Sequence, residues 1–162
     1  MTLSIFFAAS IGFAEDSDMT RATLAGLKSV RVSVENMQPN IQAYADKYGL
    51  TIKQIQSDLE QKLTQNGIKI LTADAWLTVP GRPVLYININ THETEKYWYA
   101  YNIKMELRQL VSLKANPEIT TLAATWFINI TGIANIGNLH IIKSDLMVLV
   151  DRFLNAYQAV NK

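Results

Sequence analysis

The chain has 162 residues, with 15 Lys+Arg against 14 Asp+Glu, two His and no Cys. That length suits one domain around one core. A net charge of +1 argues against a nucleic-acid binder, which needs a strongly basic stripe, and the lack of cysteine excludes disulfide frameworks, cysteine zinc sites and thiol nucleophiles.

Leu3 to Ala14 is an uncharged, largely apolar run with the length of a secretory h-region, and Gly12 and Ala14 place small residues where a signal peptidase reads. Export with cleavage after Ala14 is the expectation, leaving a mature chain that opens on Glu15-Asp16-Ser17-Asp18. The run is shorter than the roughly 20 apolar residues of a bilayer span. Met1-Thr2 supplies no basic residue, so a buried first strand is the alternative. The expected organisation is therefore a signal peptide over 1–14, an N-terminal extension over 15–28 and one domain over 29–162.

Val30, Val32 and Val34 alternate with Arg31, Ser33 and Glu35, the period of two of a half-buried strand. The segment 36–49, with Pro39 and Gly49, reads as a connection with room for a short helix over Ile41 to Lys47. Thr51-Ile52-Lys53-Gln54 has the form of a capping box, and Ile52, Ile55, Leu59 and Leu63 then recur at helical spacing until Asn66-Gly67. Ile68 to Leu71 predicts a second strand, parallel to the first across a right-handed crossover.

Beyond a Pro80-Gly81 turn, Val84 to Asn90 and Tyr97 to Leu113 predict a hairpin with a polar tip over Thr91 to Lys96. On the second of these strands Tyr97, Tyr99, Tyr101, Ile103, Met105 and Leu107 share one face, and Asn102, Lys104, Glu106 and Arg108 the other. Asn116-Pro117 is expected to break the chain. Leu122, Ala124, Trp126, Ile128 and Ile130 then form the apolar face of a fifth strand, and Gly132 to Asn138 turns. From Ile142 to Val160 apolar residues at three- and four-residue steps predict a second long helix. The order β-α-β-β-β-β-α predicts a two-layer α+β fold, a mixed, mostly antiparallel five-stranded sheet with two helices on one face.

This element order, the export signal and the C-terminal pattern Ser144-Asp145-Leu146 followed by Val150-Asp151-Arg152-Phe153 resemble small periplasmic α/β domains of the TolB N-terminal and CsgG-like type. The tail from Val150 to Asn161 also looks like the end of uncharacterised exported bacterial proteins. The resemblance implies a periplasmic domain that binds proteins or assembles at the cell envelope, and it transfers no catalytic residue.

A search for chemistry finds little that concentrates. His92-Glu93-Thr94-Glu95 gathers metal-ligating types, but alternating carboxylates on a hairpin tip are usually solvated. His140 fits a helix start. No G-x-S-x-G elbow or H-E-x-x-H motif occurs, and the glycines of Gly132 to Gly137 are followed by Asn138-Leu139 where a phosphate loop needs Lys-Ser/Thr. Asn129-Ile130-Thr131 matches a glycosylation acceptor by chance. No enzyme activity, cofactor or metal is expected. The expected partner is a protein or a second copy at the envelope, met by a wet sheet face carrying Trp98, Asn102, Lys104, Glu106, Arg108 and Phe127, with Trp98 and Phe127 as one apolar patch. The rival reading is a ligand site or active site in a cleft near Trp76, Trp98 and His92.

Overall fold

The computed structural model describes residues 16–162. The expected signal peptide, with its cleavage point, lies outside the described residues. Five strands, β1 (Ser29–Val34), β2 (Lys69–Ile70), β3 (Val84–Glu95), β4 (Trp98–Leu113) and β5 (Asn116–Asn135), form one sheet in the order β2-β1-β3-β4-β5. β1 is parallel to both β2 and β3, whereas β3, β4 and β5 form an antiparallel meander. The expected two-layer α+β architecture with a mixed sheet is the one observed.

Two long helices, α3 (Ile52–Gln65) and α5 (His140–Val160), cover one face. They do so because their apolar stripes are continuous: Ile55, Leu59 and Leu63 on α3, and Ile142, Leu146, Leu149, Val150 and Phe153 on α5, are fully buried against Val30, Leu85, Ile87, Ile103, Met105 and Trp126 of the sheet. Thr51 caps α3 by accepting from the Gln54 amide, as the capping pattern predicts, although the Gln54 side chain turns to Asp58.

Three short helices join the expected pair: α2 (Pro39–Ala45), overlapping the short helix expected over Ile41 to Lys47, and α1 (Asp18–Arg21) and α4 (Ala73–Thr78), which were not expected. Pro39 supplies the first-turn residue of α2. The start of α2 is tied to β3, where buried Thr91 donates its amide to Gln38 and its hydroxyl to Asn40. Residues 16–28, read from sequence as an extension, belong to the same core, since Leu24 and Leu27 are buried in it.

Three departures from the expected strands share one cause, the pairing of neighbours that no single segment records. The hairpin tip is Lys96-Tyr97, not Thr91 to Lys96: β3 runs on to Glu95, and Tyr97 takes a left-handed φ of 70° with its amide donated to the Glu93 carboxylate. Tyr97 therefore leaves the core face and is 45% exposed. Pro117 does not break the chain but lies near the start of β5, in the register irregularity between the Ser112–Thr120 and Leu113–Asn116 pairs, where it has no partner on β4 and its missing N–H costs no ladder bond. Gly132, expected to open a turn, is inside β5 opposite Tyr101. A Cβ there would overlap the Tyr101 phenol, which crosses Gly132 to donate a 2.6 Å hydrogen bond to Asp145 on α5.

The fourth departure is a change of face. The register slips between Leu107 and Arg108, which pair with Trp126 and Ala124, so Thr125 is an extra residue. Such a bulge flips every side chain beyond it. Leu122 and Ala124, expected beside Trp126 in the core, therefore point to the opposite face, and both are exposed. Thr125 is held in place, since its carbonyl accepts from the Thr23 hydroxyl and its own hydroxyl accepts from Gln109.

Candidate functional site

The face of the sheet turned away from α3 and α5 carries the candidate surface. Along β4 it presents Trp98, Asn102, Lys104, Glu106 and Arg108, and the register sets Tyr86 of β3 and Phe127 of β5 on either side of Glu106. Alternation within three adjacent strands is enough to build this row.

Glu106 is its centre. Although it lies on the face turned away from α3 and α5, it is only 3% exposed. Lys104 forms an ion pair with one carboxylate oxygen, and Arg108 donates from both Nε and Nη2 to the other at 2.6 Å. Burial alone would raise the Glu106 pKa, but the bonds from Lys104 and Arg108 outweigh it and hold the carboxyl below its ordinary value. The group stays ionised at neutral pH, and the trio keeps one surplus positive charge.

The two cations also lie on the flanking rings. The Arg108 guanidinium is 3.6 Å from the Tyr86 ring centroid, and the Lys104 ammonium 5.6 Å from that of Phe127. These contacts shield Glu106 from water and fix the directions of both long side chains. The result is a preorganised strip of aromatic, cation, carboxylate, cation, aromatic, of the kind that can accept an acidic group beside an apolar anchor with little ordering cost.

Four of the six residues expected on this surface are brought together here: Lys104, Glu106, Arg108 and Phe127. Asn102 continues the row and donates to Thr131 of β5. Trp98 shares the face but not the patch. It sits at the register of Glu95 and Asn135, roughly 26 Å from Glu106 at about 3.3 Å per residue, so the expected joint apolar patch with Phe127 does not form. The sequence reasoning missed Tyr86, which read only as part of an apolar strand; its even position, matching Asn88 and Asn90, was the available signal.

The cleft of the rival reading is not assembled either. Trp76, on α4, packs against Arg31 at 5.5 Å, and Arg31 lies at the Val84 end of β3. His92 lies toward the far end of that strand, roughly 26 Å away by the same rise. His92 lines a shallow hollow of about 290 Å³ with Gln38, Asn90, Ala100 and Asn102, of which neither tryptophan is part. Among the described residues no group of three or more His, Asp or Glu side chains converges as a metal site would require.

Among the described residues no helix is long and apolar enough to cross a membrane. No protein-family model matches the chain, and no curated protein sequence matches it.

Proposed function

We propose that the chain is a non-enzymatic protein-binding or assembly domain of the cell envelope, in line with its resemblance to periplasmic domains of the TolB N-terminal and CsgG-like type. Its docking surface is the sheet face turned away from α3 and α5, centred on Lys104, Glu106, Arg108 and Phe127. The observation that carries this reading is the buried Glu106 on the sheet face that α3 and α5 leave uncovered. A solvated face needs no carboxylate locked by two cations and two rings, whereas a binding surface gains from side chains already held in place. The surplus positive charge suits an acidic partner segment with an apolar anchor against Phe127.

A photo-crosslinking residue at Phe127, expressed in the native host, tests it. The expected result is a discrete protein adduct at Phe127, absent when the same group replaces exposed Lys53 on α3 and lost when Arg108→Ala is added. Equal labelling at both positions, or none at Phe127, removes this face as the docking surface. Intact mass of the protein recovered from that host checks the compartment: a mature chain beginning at Glu15 is expected, and one retaining Met1 overturns export.

A further inference from the structure

We propose that two copies of this chain pair antiparallel through the outer edge of β5, with Leu122 of each copy on the two-fold axis. The pairing uses the backbone edge of β5, whereas the docking reading uses the side chains of the neighbouring open face, where Ala124 pairs with Arg108; it does not depend on that reading.

The two edges of the sheet are managed differently. β2 is a two-residue strand, too short to recruit another. β5 is 20 residues long and, among the described residues, pairs with β4 alone. From Ile119 to Asn135 it carries no charged side chain. Long edge strands in monomers are normally blunted by charges, proline or covering segments, because their free N–H and C=O groups template pairing. Among the described residues Thr23 bonds the edge at the Thr125 carbonyl, and the stretch before the bulge lies clear of that bond.

That stretch belongs to an arm. The pairing of β3 with β4 ends at Val84 and Arg108, while β4 and β5 continue together to Leu113 and Asn116. A ribbon of two strands is marginal by itself, and this one exposes Leu110, Leu113, Ile119 and Leu122. Its hydrogen-bond phase can be read. Leu110 donates its amide to Gly81, on the side away from β5, at 2.7 Å. Opposed residues in an antiparallel pair exchange both bonds or neither, so Leu110 and Leu122 are a non-bonded pair. The N–H and C=O of Leu122, and by alternation those of Thr120 and Ala124, therefore face outward.

A second copy satisfies these groups in one arrangement. With Leu122 opposite its own symmetry mate, Thr120 meets Ala124 on both sides of the axis and all three residues exchange backbone bonds. Because Leu110 is already beside Leu122, the axis generates a row of four leucines across four strands. The absence of charge selects the occupant: an isologous interface sets each residue against its own segment, and an uncharged strand does so without like-charge repulsion, while it offers no charge by which to choose a different chain.

The chain has no cysteine, so a single introduced thiol reports the geometry. Opposed bonded residues have Cα atoms about 5.5 Å apart, within the range a disulfide spans. Leu122→Cys is expected to form an interchain disulfide readily under mild oxidation, and Val148→Cys, equally exposed on α5, is not. Light scattering across a concentration series is expected to show a monomer–dimer equilibrium that Leu122→Lys abolishes with the melting temperature retained. A monomer at all concentrations, a dimer indifferent to Leu122→Lys, or equal crosslinking from Val148→Cys would overturn the proposal. Loss of the Phe127 adduct with the dimer intact would count against the docking face alone.

Discussion

The two faces of the sheet each hold a carboxylate against a tryptophan or phenylalanine-bearing strand, and they use it differently. On the helix-covered side Asp16 is gripped by Arg21, which donates from Nε and Nη2 at 2.7 Å, and by the indole N–H of Trp126 at 2.9 Å. Trp126 is fully buried edge-on to Phe153 of α5, so Asp16 fastens the first described turn of chain to the core. On the open side Glu106 is gripped just as closely, but by two residues of its own strand, and fastens no other element. One arrangement joins parts of the fold; the other shapes a surface. Stability should therefore depend on the first far more than on the second.

The largest expected effect is at the joint itself. Trp126→Ala removes the most voluminous buried ring together with its contact to Phe153, and a loss of about 3–5 kcal/mol in urea unfolding is expected. A loss as small as that of Phe127→Ala on the open face would break the comparison.

Asp16→Asn should cost about 1.5–3 kcal/mol at neutral pH, the range for hydrogen bonds to a charged group. The Arg21 bond lowers the Asp16 pKa most, burial opposes it, and the Trp126 bond lowers it further. A carboxyl depressed on folding stabilises fully above its unfolded value of about 3.9, and the contribution is lost as pH falls from there through the lower folded value. Acid titration of stability should accordingly be shallower in Asp16→Asn than in the parent chain. Parallel curves would show that the pair does not join the first described turn to the core.

Gly132→Ala sharpens the same contrast at the β4–α5 contact. The added methyl displaces the Tyr101 phenol and breaks its bond to Asp145, for a cost of about 1–3 kcal/mol by thermal unfolding. Burial and the Asp145 carboxylate push the Tyr101 pKa above its ordinary value, so the phenol remains a donor throughout the accessible range, and this cost should not vary between neutral and moderately alkaline pH.

The smallest effect belongs to the open face. A double-mutant cycle of Glu106→Gln and Arg108→Ala is expected to give a coupling of about 0.5–1 kcal/mol, since the cations are partly exposed. The same substitutions should weaken adduct formation at Phe127 well beyond that, if this trio is built for recognition.

Much of this architecture was legible beforehand, for particular reasons. Val30-Val32-Val34, the Ile52 to Leu63 stripe and the Ile142 to Val160 stripe each repeat with the period of the element they form, and the row Asn102 to Arg108 follows from alternation in one uninterrupted strand. The placement of Leu122 and Ala124 was not legible, because the Thr125 bulge exists only in the pairing with β4 and is braced by Thr23, distant in sequence. Gly132 and Pro117 read as breakers because their usual roles are local, whereas here one makes room for Tyr101 and the other falls in a register irregularity with β4.

Of the candidate surface, Phe127 and the charged trio were named from parity, but their convergence with Tyr86 and the burial of Glu106 needed three strands in register. The separation of Trp98 from Phe127 needed the same register. By itself the sequence determined which residues form helices and strands and which of their faces are apolar, since those depend on contacts a few residues apart. Tertiary structure alone decided strand register, the face on which β5 presents its leucines and the reach of the β4–β5 arm beyond β3, because each depends on backbone bonds between segments that the chain order does not place side by side.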